Sequence, residues 1–166
     1  MFGFLGKRAV RRTEATILLD QAMREAIQPV FYAEMDVPDT FDGRYEIATL
    51  HIMMIMHTLN KQGAEGQKLA QALFDVFFVR MDRTLREIGV GDLSVPKQMK
   101  KMMNGFNGRA QSYRAALVQG DKAALMDALT RNVYGKVEQP DSASVEKLAE
   151  YVMLKFNKIE EVRDAA

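Results

Sequence analysis

Apolar residues recur at steps of three and four along most of the chain, which is the spacing of one face of an α-helix. The first stripe spans residues 15–30, and Thr13 precedes it at a position suited to capping the first turn. Pro29 lacks the amide hydrogen that a helix interior requires, so the regular helix is expected to end or kink near Ile27. A loop over residues 35–43 is expected to follow, because proline, aspartate and glycine cluster there.

The second predicted helix, 45–61, is apolar on several of its faces. A helix of that kind is usually buried on all sides, so it is expected at the centre of the core. A third helix follows the glycine-containing turn at 63–66, and Gly89 and Gly91 end it.

The fourth predicted helix, 95–117, has Ser94 placed to cap it and Pro96 in its first turn, where proline is tolerated. Gly105 and Gly108 interrupt its apolar stripe. They either weaken the helix, at about 1 kcal/mol each against alanine, or permit close packing.

Two further helical stripes, 121–133 and 145–159, complete the chain, and no β alternation of useful length appears. The sequence therefore predicts an all-α fold, a single compact bundle of about six helices. Residues 1–12 form a basic, apolar N-terminal segment, and residues 13–163 form one helical domain. A chain of 166 residues can bury about two thirds of its unfolded surface.

Composition and spacing argue against several kinds of chemistry. With 23 Lys and Arg against 22 Asp and Glu, the net charge of +1 does not suit a dedicated DNA or RNA binder. There is no cysteine, which excludes disulfides and thiolate sites and suits a reducing compartment. His51 and His57 are six residues apart and so face different sides of a helix. We therefore predict no metal, no cofactor and no enzyme, and expect His51 to make a buried hydrogen bond to a neighbouring helix or loop.

The first twelve residues combine apolar and basic side chains and contain no acid. The longest strongly apolar run, 47–56, has about half of the ~20 residues that a membrane span needs, so the protein is expected to be soluble or peripheral. Each basic group near an anionic leaflet adds about 1 kcal/mol of attraction, and the alternative is a frayed terminus with incidental charge. The membrane-contact candidates are Phe2, Phe4, Leu5, Lys7, Arg8, Arg11 and Arg12.

Twelve methionines suit a protein that binds an irregular apolar partner, because the thioether side chain is flexible and repacks easily. In the fourth predicted helix, three methionines lie beside three lysines, which favours either a basic-edged binding surface or ordinary core packing. The partner would be one of two kinds. It is either a protein with an apolar stripe rimmed by acidic residues or the RNA backbone near a ribosomal exit. The residues concerned are Lys97, Met99, Lys100, Lys101, Met102 and Met103.

Five sequence elements follow one another in a fixed order between residues 27 and 135. They are Pro38-Asp39-Thr40 through Gly43-Arg44 to Leu50-His51; Met81-Asp82-Arg83-x-Leu85-Arg86-Glu87-x-Gly89-Val90-Gly91-Asp92-Leu93; Phe106-x-Gly108-Arg109-Ala110; Tyr113; and Arg131-Asn132-x-Tyr134-Gly135. In this order they resemble the ubiquinol-cytochrome c chaperone family, whose members assist assembly of the respiratory cytochrome bc1 complex. Arg80 departs from the family pattern, in which an acid commonly stands at that position.

The resemblance implies a non-enzymatic assembly chaperone that acts on newly made cytochrome b. Together with the methionine and lysine composition, it leads to the hypothesis that a groove beside the Met99 helix shields apolar cytochrome b segments until haem and partner subunits arrive. It also implies a small assembly-factor partner and contact with the ribosome near its exit. Because no transit peptide is evident, a cytoplasmic protein at the inner face of a bacterial inner membrane is expected, with the mitochondrial matrix side as the alternative. Client- or partner-binding candidates are the six lysines and methionines above and Arg83, Arg86, Asp92, Phe106, Arg109, Tyr113, Arg131 and Asn132.

Some of these polar residues have a second interpretation, since groups fixed among glycines also cap helices or hold turns. Two rival functions also remain at this stage. One is a helical lipid- or quinone-binding module with a methionine- and phenylalanine-lined interior, and the other is an enzyme whose site is assembled from dispersed residues.

Overall fold

The computed structural model describes the backbone of residues 2–166 and the side chains of residues 6–166. Within these residues there are seven helices and no strand: α1 (Phe2–Ala26), α2 (Pro29–Ala33), α3 (Phe41–Asn60), α4 (Gly63–Glu87), α5 (Val95–Gln119), α6 (Lys122–Asn132) and α7 (Ser142–Ala165). Helix α2 is only five residues long, so six longer helices carry the bundle. The predicted all-α fold of about six helices is confirmed.

Helix α3 is the central element of the bundle. Thirteen of its 20 residues are buried, and it packs against α1, α4, α5 and α7. Thr40 caps its first turn by accepting a hydrogen bond from the amide of Gly43 at 3.1 Å. The prediction of a central core helix is confirmed.

Helix α1 begins earlier than the apolar stripe predicts. Thr13 does not cap a helix but lies inside α1, where its hydroxyl donates to the carbonyl oxygen of Ala9 at 3.2 Å. The predicted boundary between residues 12 and 13 therefore falls within α1. Lysine, arginine and alanine before Thr13 are strong helix formers, so the helix continues beyond the stripe that packs on the core. Its end at Ala26 agrees with the predicted stop, and Pro29 opens α2.

Side-chain contacts fix the directions of the first helices. Arg11 lies 3.0 Å from Glu65 and Arg80 lies 2.7 Å from Asp20, so α1 and α4 run in the same direction. Helix α3 runs antiparallel to both, since a short turn joins it to α4. The start of α1 thus lies near the α3–α4 turn, and the start of α3 lies at the opposite end, about 30 Å away for a helix of 20 residues.

His51 forms part of the core between α3, α2 and α7. Its Nδ1 lies 2.8 Å from the carbonyl oxygen of Ile47, and its Nε2 lies 2.8 Å from the hydroxyl of Tyr151 in α7. Burial lowers the pKa of this imidazole, which favours a neutral ring that donates from Nδ1 and accepts from Tyr151. The predicted buried hydrogen bond to a neighbouring helix is confirmed.

In the described residues, no helix is long and apolar enough to cross a membrane.

Candidate functional site

A surface cleft of about 350 Å³ opens where the loop before α3 and the first turns of α3 meet α5 and the end of α6. We call it the α5 cleft. Helix α5 contributes Gln98, Lys101, Met102 and Arg109, and the end of α6 contributes Arg131 and Asn132. The loop and α3 contribute Pro38, Thr40, Asp42, Gly43, Tyr45 and Glu46. The cleft thus joins residues from three of the five sequence elements described above.

The loop that forms one wall of the α5 cleft is held tightly to the bundle. The hydroxyl of Tyr134 donates to the carbonyl oxygen of Met35 at 2.6 Å, and the Ser144 hydroxyl donates to Asp36 at 2.6 Å. Gly43 lets the loop approach α3, because a Cβ atom there would overlap the carbonyl oxygen of Pro38. The wall is therefore fixed by contacts from α3, from the segment that follows α6, and from α7.

An ion pair between Glu46 and Arg109 forms the floor of the cleft and ties α3 to α5. Arg109 donates from Nε to both carboxylate oxygens, at 2.9 and 2.8 Å, and from Nη2 to one of them at 2.6 Å. Only 7% of the Glu46 side chain and 25% of the Arg109 side chain are exposed. Burial raises the pKa of Glu46, while the hydrogen bonds and charge of Arg109 oppose that rise.

Gly105 makes room for the Arg109 guanidinium. Nη1 of Arg109 donates to the Gly105 carbonyl oxygen at 3.1 Å, and a Cβ atom on Gly105 would lie 2.6 Å from that nitrogen. At Gly108 the same added atom would meet nothing within 4 Å. The sequence leaves two roles open for these glycines, weakening of the helix or close packing. Close packing fits Gly105, and helix α5 continues without a break through Gly105 and Gly108.

The two glycines allow a matched test of this arrangement. Gly108→Ala is expected to stabilise the protein by about 1 kcal/mol through helix propensity alone. Gly105→Ala gains the same helix propensity, but its new methyl group pushes the Arg109 guanidinium away from Glu46. The free energy of unfolding of the Gly105→Ala variant should therefore be about 2 kcal/mol below that of the Gly108→Ala variant. Denaturant titration of both variants measures the difference. Equal stabilities would mean that the ion pair does not depend on Gly105.

Two buried tyrosines support the cleft, Tyr45 from its lining and Tyr113 from behind it. The Tyr45 hydroxyl donates to the carbonyl oxygen of Met102 at 3.2 Å. The Tyr113 hydroxyl is buried beside Asn132 without a well-formed hydrogen bond in the described structure. Burial and, after it, the negative charge of Glu46 raise the pKa of Tyr113, so it stays protonated. These side chains support the cleft from the core.

The structure divides the predicted binding residues into three groups. Lys101, Met102, Arg109, Arg131 and Asn132 line the α5 cleft, although Met102 is largely buried. Phe106 and Tyr113 lie in the core, where a partner would not touch them unless the fold opened. Lys97, Lys100 and Met103 are exposed on α5 outside the cleft, and Met99 is half-buried.

Three other predicted residues, Arg83, Arg86 and Asp92, lie at the α4–α5 turn. Arg86 donates to Asp82 at 2.9 Å and to Asp92 at 2.7 Å, and Arg83 donates to Glu87 at 2.8 Å. The Arg86–Asp92 contact spans the turn, and the other two lie within the last turns of α4. The geometry therefore favours the second interpretation for Arg86 and Asp92, that they hold the turn, whereas Arg83 pairs only within α4.

Sequence reasoning missed several residues of the site. Glu46 is the partner of Arg109, and Asp42 forms an ion pair with Lys136 across the mouth of the cleft. One signal for Glu46 was present, since it is an isolated acid beside the long apolar run of the central helix and a buried acid needs a cation.

A second groove, of about 460 Å³, lies on the other side of α5 and was also missed. Met56 of α3 and Ala110 of α5 are the half-buried part of its apolar lining, Met53 and Phe106 lie buried beneath them, and Lys61 and Arg114 stand at its rim. We call it the methionine groove. The spacing of three between Met53 and Met56, which places them on one helix face, was the available signal.

The structure describes the side chains of only some of the N-terminal membrane-contact candidates. The side chains of Phe2, Phe4 and Leu5 lie outside the described residues. Lys7, Arg8 and Arg12 are exposed, and Arg11 is half-buried against Glu65. Among the side chains of residues 6–166 there is no group of three or more His, Cys, Asp or Glu able to hold a metal ion.

Comparison with known proteins places these features in context. A family model described as Ubiquinol-cytochrome C chaperone matches residues 33–166, which extends the predicted resemblance through α7. The crystal structure of the Cbp3 homolog from Brucella abortus is 36% identical, with a TM-score of 0.82 over 98% of this chain and 90% of that chain.

Curated relatives carry the name ubiquinol-cytochrome c reductase complex assembly factor 1. The Mus musculus protein is 27% identical over 74% of this chain and 41% of its own length. The Xenopus laevis protein is 22% identical over 74% of this chain and 60% of its own length, and the Homo sapiens protein is 25% identical over 74% and 40%. The chain therefore spans about half the length of these relatives.

Proposed function

Because the chain belongs to the ubiquinol-cytochrome c chaperone family, we propose that it is a non-enzymatic assembly factor for the cytochrome bc1 complex that binds newly made cytochrome b. The observation that supports this most directly is the α5 cleft. Four residues that carry the family resemblance are far apart in sequence but line this one cleft. They are Thr40, Arg109, Arg131 and Asn132.

The charges of the α5 cleft suit a client segment with an acidic residue. Arg109 neutralises Glu46, and Lys136 neutralises Asp42. Lys101 and Arg131 also line the cleft, and neither has an ion-pair partner within the described part of the chain. The cleft is therefore left with uncompensated positive charge, which steers an acidic partner and fixes its register.

Apolar contacts would supply most of the affinity for an unfinished membrane helix. The methionine groove lies on the opposite side of α5 from the α5 cleft, and its half-buried Met56 can repack around an apolar client. Helix α5 thus offers a basic side and an apolar side. We place the client along this helix, across both of these surfaces, and not on Met99 and Met102 alone, because Met102 is buried.

The proposed place of action is the cytoplasmic face of a bacterial inner membrane, with the basic start of α1 as the contact. A small assembly-factor partner and the ribosome near its exit are the further partners that the family resemblance suggests. The alternative of a lipid- or quinone-binding module has less support. Phe77, Phe78 and Phe106 fill the interior with ring centroids 5.1 to 6.2 Å apart, so an isoprenoid chain would have to open the core.

Deleting the gene tests the assembly role. The amount of assembled bc1 complex is expected to fall several-fold, while the cytochrome b transcript stays at its normal level. Native gel electrophoresis of membranes and transcript quantification measure the two quantities, and complementation with the intact gene is the control. Normal bc1 levels in the deletion strain would contradict the proposal.

A further inference from the structure

The face of α1 that packs on the bundle changes character toward its N-terminal end. Ala15, Leu19 and Ala22 are almost fully buried along one stripe. At about 100° per residue, Arg8 falls about 15° and Arg12 about 55° from the centre of that same stripe. Arginines thus occupy the inward face one and two turns before Ala15, where the helix still runs alongside α4.

These arginines line a groove of about 380 Å³ between α1 and α4. We call it the arginine groove. Arg8, Arg11 and Arg12 lie on its α1 side, and Lys68 and Asp75 lie on its α4 side. Four cations therefore converge on one groove that contains a single carboxylate.

The local carboxylates do not balance these cations. Glu65 lies 3.0 Å from Arg11 and 2.7 Å from Lys68, but it is one charge shared by two. Asp75 accepts a hydrogen bond from Gln71 at 2.9 Å. Arg8 and Arg12 form no ion pair with any side chain of residues 6–166. Like charges held across a narrow groove repel each other, and a bound anion removes that repulsion.

The lining of the arginine groove indicates what kind of anion fits. Ala72, Val76 and Val79 of α4 form an apolar strip beside the cations, and 59% of Val79 is exposed. A free inorganic anion gains nothing from apolar surface, whereas an amphiphile with a phosphate head does. The groove also lies at the end of the bundle away from the start of α3, so an occupant would leave the α5 cleft free.

We propose that the arginine groove between α1 and α4 holds the phosphate of an anionic phospholipid, with Val76 and Val79 against the glycerol and upper acyl region. This inference rests on the proposed membrane location and makes it specific. The protein would lie with the start of α1 on the bilayer and the α5 cleft directed away from the surface.

Vesicle binding of the purified full-length protein tests the proposal. The probe is a two-to-one mixture of phosphatidylcholine and phosphatidylglycerol, with pure phosphatidylcholine as reference. The groove variant Arg8→Gln with Arg12→Gln is compared with Lys7→Gln with Lys61→Gln, which removes the same charge at the same end of the bundle but outside the groove. The groove variant is expected to lower the partition coefficient about thirtyfold, and the control variant only a few-fold.

The outcomes separate the groove from diffuse attraction. Equal losses in both variants, or no loss in either, would overturn the proposal. A single-stranded oligouridine is tested in parallel. If it binds the wild-type protein more tightly than the vesicles do, and loses that binding in the Arg8→Gln, Arg12→Gln variant, the proposal is overturned in favour of nucleic acid. Because no cytochrome b is present, the result is independent of the gene-deletion test of the assembly role.

Discussion

Arg109→Met is expected to lower the free energy of unfolding by roughly 3–5 kcal/mol at neutral pH. The substitution leaves the Glu46 carboxylate, which is only 7% exposed, without the guanidinium that binds both of its oxygens. The cost is mostly the desolvation of an unpaired charge and only partly a lost contact. Chemical denaturation of the variant and of the wild-type protein measures it.

The double variant Glu46→Leu with Arg109→Met is the control for this experiment. It removes both charges and keeps a similar side-chain volume, and replacements of that kind are commonly neutral or stabilising by about 1–4 kcal/mol. If the double variant recovers stability, the loss in Arg109→Met is caused by the unpaired Glu46 carboxylate. If Arg109→Met alone were as stable as the wild-type protein, Glu46 would have to reach water by some other route.

The pH dependence of Arg109→Met gives a second measure of the same effect. Burial raises the pKa of Glu46 above its ordinary value of 4.5, and in this variant Arg109 no longer opposes the rise. A folded state with the higher pKa binds the proton more tightly than the unfolded state, so folding gains stability as the pH falls. The loss caused by the substitution should therefore be largest at neutral pH and shrink toward pH 4.5. A loss independent of pH would point to packing instead.

The sequence predicted the helices well because amphipathic periodicity is a local property. The central position of α3 and the buried hydrogen bond of His51 both follow from an unusually apolar stretch. The start of α1 was missed for an equally physical reason. Before Thr13 the helix is supported by helix propensity and the Arg11–Glu65 ion pair, without the apolar stripe that the prediction used.

The candidate site was less predictable because its contacts join distant parts of the chain. Glu46 and Arg109 are 63 residues apart, so no local spacing relates them. The family resemblance singled out Arg109, Arg131 and Asn132 but did not indicate that they share a cleft. The methionines show the same limit, since the rotation of α5 against its neighbours decides that Met102 is buried and that 37% of Met103 is exposed.

Reversing charge inside the α5 cleft is expected to abolish most client binding. Lys101 and Arg131 are exposed, so Lys101→Glu with Arg131→Glu should change the free energy of unfolding by no more than about 0.5 kcal/mol per site. Juxtaposing like charges across an interface costs several kcal/mol, so co-purification of cytochrome b with the tagged variant should fall at least about tenfold. Immunoblotting of cytochrome b in pull-downs from solubilised membranes measures it.

The matched control lies on the same helix. Lys97→Glu with Lys100→Glu makes the same change of charge on α5, but these two exposed lysines lie outside the cleft. Attraction by the basic helix as a whole would make both double variants lose the client to the same degree, whereas docking in the cleft predicts loss only with Lys101 and Arg131. If both variants kept the client while remaining folded, the cleft would not be the docking site. The methionine groove would then be the next surface to test, because it borders α5 without containing any of these four side chains.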